Sequence, residues 1–81
     1  MNAHLQAFLL RTLKRNGGPI TETQLTTMAM GAFLDTSASE VRDELAALDD
    51  GGLVVSSRVP VLNTRQYGLT AAGVSAAAAL R

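Results

Sequence analysis

A chain of 81 residues with 47% hydrophobic residues and no cysteine is long enough for one small domain and can form neither a disulfide nor a thiolate metal site. Seven basic and seven acidic side chains give a net charge of zero, so the chain lacks the positive excess that nucleic-acid-binding domains commonly carry. The composition excludes a disordered chain, and no apolar run is long enough to span a membrane. We expect a single cytoplasmic domain over residues 1–81, without a signal peptide.

The first predicted helix occupies the beginning of the chain. Its apolar side chains recur at the spacing of one helical face: Leu5, Phe8, Leu9 and Leu13. Residues 16–19, Asn-Gly-Gly-Pro, end the helix because they tolerate left-handed backbone and then prevent continuation. Three cations lie in its last turns: Arg11, Lys14 and Arg15. These cations could have a structural role, because positive charge is favoured at the negative end of the helix dipole. They could equally contact a phosphate, so both interpretations stay open.

The second predicted helix begins at a capping box. Thr21 can accept a hydrogen bond from the exposed amides of the first turn, and Gln24 can reach back to the cap. A short apolar stripe follows, and we interpret it as core rather than as a ligand site: Leu25, Met28 and Ala29. Gly31 is predicted to end this helix.

The third predicted helix covers about residues 37–50. Ser37 and Glu40 have the spacing of a second capping box. One narrow face is apolar, with side chains at i, i+4 and i+7: Val41, Leu45 and Leu48. Gly51 and Gly52 then stop the helix.

The third helix is strongly acidic. It carries five carboxylates against the single cation Arg42: Glu40, Asp43, Glu44, Asp49 and Asp50. The resulting charge of minus four opposes contact with a phosphate backbone. Glu40 has a structural use as a cap, and the two last acids lie at the far end of the helix. The charges that oppose phosphate contact are therefore mainly those of Asp43 and Glu44, beside Arg42.

A β-hairpin and a last helix complete the predicted elements. Residues 53–55 and 65–69 are rich in strand-forming side chains, and the segment between them contains the loop, near residues 60–64. Pro60 cannot donate to a ladder, so it belongs in this loop or at an edge. Thr70 is predicted to cap an alanine-rich helix over residues 71–80.

This order of elements resembles the winged helix-turn-helix superfamily, in particular small MarR-like and ArsR-like domains. Two segments carry the resemblance: residues 41–54, a helix that runs into Gly-Gly-Leu-Val, and residues 67–70, Tyr-Gly-Leu-Thr, with Gly73. The resemblance implies a mainly α fold with a small β-hairpin, made of three helices, a two-stranded wing and a C-terminal helix. Neither segment is a catalytic motif, so both indicate fold more than function.

The resemblance also implies a DNA-binding transcriptional regulator that acts as a homodimer. The third helix is then expected in the major groove of double-stranded DNA and the wing on the backbone. Six residues are the candidate DNA contacts: Ser37, Ser39, Arg42, Asp43, Arg58 and Arg65. Such proteins commonly dimerise through their terminal helices, and Leu10 is expected off the core face of its helix. The candidate dimer interface is Leu10, Ala72, Ala76 and Ala79.

The acidic third helix supports an alternative from another class. In that alternative the chain is an adaptor or inhibitor without DNA binding, which docks on a basic partner through three carboxylates: Glu40, Asp43 and Glu44. An enzyme is not expected, because His4 is the only histidine and has no sequence-spaced partner. We likewise expect no metal and no cofactor.

Overall fold

The structure is a computed structural model that describes residues 2–61 and 63–80. Seven elements follow one another: α1 (Ala3–Asn16), β1 (Ile20–Thr21), α2 (Glu22–Ala32), α3 (Ala38–Asp50), β2 (Val54–Val59), β3 (Thr64–Leu69) and α4 (Ala71–Ala79). The strands form one antiparallel sheet in the order β1-β3-β2. The fold is mainly α with a small hairpin, as the sequence predicts.

The predicted caps hold the helix ends. Both halves of the capping box at Thr21 and Gln24 are present. The hydroxyl of Ser37 accepts a hydrogen bond from the backbone amide of Glu40 at 3.2 Å. The prediction that Gly31 ends α2 is wrong, since the helix continues to Ala32. A glycine inside a helix costs only about 1 kcal/mol relative to alanine, which the neighbouring turns can offset.

The turn from α3 into β2 fixes the position of α4. Gly52 adopts φ +76°, and the amide of Leu53 donates to the carbonyl of Leu48 at 2.9 Å, which closes the end of α3. The hydroxyl of Thr70 donates to the carbonyl of Gly52 at 2.6 Å. A Cβ at Gly73 would overlap the carbonyl oxygen of Leu53, so only glycine lets α4 approach this turn so closely.

The hairpin is longer than predicted and has an additional partner. Strand β2 runs to Val59, and Pro60 follows it in the turn, as expected for a residue without an amide donor. Leu62 of the predicted loop lies outside the described residues. Strand β1 was not predicted, because two residues are too short to show a periodic pattern. It pairs Ile20 with Tyr67, which makes β3 the central strand.

One hydrophobic core takes side chains from the four helices and the sheet. Its fully buried large residues are Leu5, Leu9, Leu13, Leu25, Leu45, Val41 and Val54. Two predictions about burial are wrong. Met28 is 47% exposed, and Leu10, expected off the core face, is only 5% exposed. In the described part of the chain, no helix combines the length and the apolar character needed to cross a bilayer.

Candidate nucleic-acid interface

The outward face of α3 is open to solvent. Ser39, Asp43, Ala46 and Asp50 follow the spacing i, i+4, i+7 and i+11 opposite the buried stripe, and all four are exposed. Three further predicted contact residues are also exposed: Ser37, Glu40 and Arg42. All predicted contact residues of α3 and its N-cap except Glu44 are thus accessible to solvent.

Glu44 is not part of that face. It is 7% exposed, and its carboxylate accepts hydrogen bonds from the backbone amide of Asn2 at 3.1 Å and from Nε2 of Gln6 at 2.9 Å. The carboxylate therefore ties α3 to the first turn of α1. The prediction of an exposed Glu44 on a docking face is wrong, because the residue lies one turn from both Val41 and Leu48 on the buried stripe. The exposed charge of α3 becomes minus three, from four acids against Arg42.

Asp49 connects α3 to the hairpin. The hydroxyl of Ser56 donates to its Oδ2 at 3.4 Å, a long contact. We call the strands β2 and β3, together with the turn between them, the wing. Because Ser56 lies in β2, the carboxylate of Asp49 contacts the base of the wing. The acid at the far end of α3 thereby has a structural neighbour as well as a solvent-exposed side.

The two predicted wing arginines are direct cross-strand neighbours. Arg58 in β2 pairs with Arg65 in β3, and both side chains are exposed. Tyr67, two residues along β3, lies on the same face of the sheet as Arg65 and is buried. A hydrogen bond to Tyr67 contributes most to a raised pKa of Arg65, and the nearby carboxylates of Glu22 and Asp49 add to it. The guanidinium of Arg65 is exposed, and Tyr67, Glu22 and Asp49 favour its charge.

A shallow concavity between α2 and α3 joins this surface. Its volume is about 260 Å³, and its lining consists of Glu22, Thr23, Thr26, Thr27, Ala38 and Arg42. Glu22 also lies near the wing, since the hydroxyl of Tyr67 is 3.5 Å from its Oε1. Sequence reasoning missed the α2 residues. Their signal was a polar threonine stripe at i, i+3 and i+4, opposite Leu25 and Ala29.

The basic cluster of α1 lies elsewhere. Arg11, Lys14 and Arg15 line a separate concavity of about 300 Å³ together with Ala77 of α4. Its cations thus lie beside α4, and none of them lines the concavity that contains Arg42. We call this second surface the α1–α4 face.

The predicted dimer residues are divided between core and surface. Leu10 is buried in the core, Ala76 is half-buried, and Ala72 and Ala79 are exposed on α4. Sequence reasoning missed an apolar groove of about 380 Å³ on the outer side of the sheet. It is lined by Leu13, Lys14, Gly17, Gly18, Pro19, Val55, Gly68, Leu69 and Val74.

Metal chemistry has no candidate site in the described ranges, since no group of three or more histidine, cysteine or carboxylate side chains is arranged to hold an ion there. His4 is exposed in the first turn of α1.

The helix pair α2–α3 followed by the β2–β3 wing defines the winged helix-turn-helix fold. Three solved structures share it. Two are structures of a double mutant of ZitR from Lactococcus lactis, one of them in the apo form, with TM-scores of 0.75 and 0.74 at 22% identity. The third is PadR from Bacillus subtilis in complex with operator DNA, with a TM-score of 0.72 at 23% identity.

These alignments cover 94–96% of this chain but only 46–53% of the neighbours. The chain therefore spans about half the length of each solved relative. No protein-family model matches the sequence, and a search of curated proteins finds no match. At these identities the likeness establishes the fold, and the MarR-like or ArsR-like subtype stays a prediction.

Proposed function

We propose that the chain is a DNA-binding transcriptional regulator that acts as a homodimer. The observation that carries the proposal is one continuous surface on which three exposed arginines accompany the outward side of α3. Arg42 and the start of α2 line one concavity, and Glu22 of that concavity lies beside the Tyr67 and Arg65 of the wing. Arg58 extends the surface along β2. The complex of PadR with operator DNA supports the same use of the shared fold.

In this proposal the first half of α3 reads bases in the major groove. Arg42 can donate to guanine, and Asp43 can accept from the amino group of cytosine. Ser39 is exposed beside them, and its hydroxyl can donate as well as accept. Ser37 already accepts from the amide of Glu40, so its hydroxyl proton is the group left for a phosphate.

The wing contributes sequence-independent affinity. Arg58 and Arg65 lie opposite each other, and like charges in that position repel. A phosphate between them relieves the repulsion and releases counter-ions from the DNA. The wing therefore positions the protein, whereas α3 supplies base contacts.

The homodimer is proposed to form through α4. Ala72 and Ala79 are exposed on one side of this helix with Ala76 at their edge, and small side chains let two backbones approach closely. Leu10 is buried within the single chain, so it is not part of the proposed interface.

One specific observation favours a second candidate function, docking on a basic protein partner. The outward ridge of α3 carries Asp43 and Asp50 and no cation, which fits a basic protein surface better than a phosphate backbone. Glu40 and Asp43 remain available for such docking, whereas Glu44 is occupied by α1.

Titration of a fluorescent duplex of random sequence tests the proposal. Binding at about 50 mM salt is expected to weaken steeply by about 200 mM, and Arg58→Ala with Arg65→Ala should lower the salt slope by roughly two. Lys14→Ala with Arg15→Ala is the charge-matched control on the α1–α4 face and should leave the slope nearly unchanged. Absence of binding at low salt refutes the proposal. In that case, recovery of a basic partner by wild type but not by Asp43→Lys supports the protein-interaction function.

A further inference from the structure

Glu22 occupies the junction between the helix-turn-helix and the wing. It is the first residue of α2 and is half-buried. Its Oε1 lies 3.5 Å from the hydroxyl of Tyr67, the same side chain that bonds to Arg65. Glu22 also lines the concavity that contains Arg42. One carboxylate thus neighbours two of the three arginines proposed to contact DNA.

Charge alone does not make Glu22 special, since α3 carries four other exposed acids. Asp43 and Asp50 lie on the outward ridge of α3, and neither is among the carboxylates that raise the pKa of Arg65. Asp49 is near Arg65, but it is also the acceptor for Ser56 at the end of α3. Glu22 differs because it lies beside Tyr67 of the wing and also lines the concavity that contains Arg42.

We propose that Glu22 is an internal counter-ion that sets the DNA affinity of this chain. Its carboxylate lies beside Tyr67, on the sheet face that also carries Arg65, and it already favours the charge of Arg65, so a DNA phosphate that binds Arg65 has to compete with it. The inference rests on the proposed function. Because the competition concerns the phosphate and not the bases, it weakens binding to every sequence equally.

As a consequence of this competition, stable DNA binding by the chain depends on contacts to the bases. An arginine whose charge is partly offset by a nearby carboxylate gains less from a phosphate than an arginine without such a neighbour, so non-specific binding is reduced. Contacts from α3 to the correct bases are then needed to hold the complex, which makes the fraction bound at non-specific sites small. Glu22 would thus limit occupancy of the large excess of competing sites.

Glu22→Gln tests the inference on a random-sequence duplex of about two to three helical turns. The amide keeps the side-chain length and can still accept from Tyr67, so only the charge is removed. Affinity is expected to rise about two- to fivefold at about 50 mM salt, and the difference should shrink by about 200 mM. Asp50→Asn makes the same change in net charge on the outward ridge and should raise affinity less. Equal melting temperatures would show that both variants keep the fold.

A double-mutant cycle separates an internal counter-ion from general repulsion of DNA. In the Arg65→Ala background, the gain from Glu22→Gln should fall toward that of Asp50→Asn, because the arginine whose charge Glu22 offsets is missing. An undiminished gain in the Arg65→Ala background overturns the inference, as does a Glu22→Gln affinity equal to that of wild type. If wild type binds the duplex, either result leaves the proposed function standing. If neither protein binds at low salt, both proposals are overturned.

Discussion

The face made by α2, α3 and the wing mixes its arginines with carboxylates, whereas the concavity of the α1–α4 face is lined by three cations and an alanine. On the first face, Arg65 has Glu22 and Asp49 as electrostatic neighbours. On the second, Lys14 and Arg15 lie in the last turn of α1, where the helix dipole favours positive charge. The more basic face is therefore not the one proposed to bind DNA.

This difference shows what a net charge of zero can conceal. A chain with seven bases and seven acids could present opposite faces of opposite sign. Instead, acids and bases alternate on the face where phosphate contact is proposed, and the local arrangement decides affinity. Changes that disturb one face and spare the other can separate the contributions of fold, readout and assembly.

The largest expected effect is on stability and concerns the close packing of α4 against the turn after α3. Gly73→Ala places a Cβ against the carbonyl of Leu53, and α4 must shift away from the turn after α3. We expect a loss of at least about 2 kcal/mol in the free energy of unfolding, measured by urea denaturation. Gly31→Ala is the control, since its Cβ meets nothing within 4 Å in α2; it should stabilise by about 0.5–1 kcal/mol. Equal stability of the two variants would contradict the close approach of α4.

The next effect distinguishes the two neighbouring acids of α3. Glu44→Ala leaves the amide of Asn2 and the side chain of Gln6 without their acceptor, and it should cost about 1–3 kcal/mol. Asp43→Ala removes an exposed carboxylate from the same helix and should change stability by less than about 0.5 kcal/mol. Thermal unfolding of both variants checks this, and a reversed order would place Glu44 back on the surface.

Glu44 also shows how far sequence reasoning reaches. Its spacing from Val41 and Leu48 placed it on the buried stripe, but its charge argued for exposure, and charged residues are seldom buried without partners. The partners lie 42 and 38 residues earlier in the chain, so no local pattern reveals them. Burial of Leu10 is hidden for the same reason, because it depends on the packing of distant elements.

Elements with local signals were predicted well. The cap at Ser37 and the box at Thr21 fixed the starts of α3 and α2, because their hydrogen bonds span only three residues. Strand β1 and the extension of β2 depend on pairing with β3 and had no local signal. In the candidate site, Arg58 and Arg65 were predicted from their charge, whereas the approach of Glu22 to Tyr67 joins residues 45 apart and has no local signal.

A third prediction separates readout from positioning within one face and rests on the proposed function. Arg42→Ala should relax preference at one base position of a selected binding site, a change of about 1–3 kcal/mol in discrimination. Arg65→Ala should weaken selected and random duplexes by the same factor, because a phosphate contact is indifferent to sequence. Selection of binding sites by each variant measures this. Identical sequence preferences in the two variants would remove Arg42 from the base-reading role.

The smallest expected effect concerns assembly through α4. Ala72→Glu puts a charge on the side of the helix that also carries Ala76 and Ala79, and it should weaken the proposed homodimer about tenfold through an unpaired carboxylate in the interface. Ala71→Glu lies on another exposed side of α4, in its first turn, where the dipole favours an acid, and it serves as the matched control. Sedimentation equilibrium over a range of protein concentrations measures both dissociation constants. If both variants dissociate like wild type, the contact does not involve this side of α4, and the apolar groove beside Val55 and Val74 becomes the next surface to substitute.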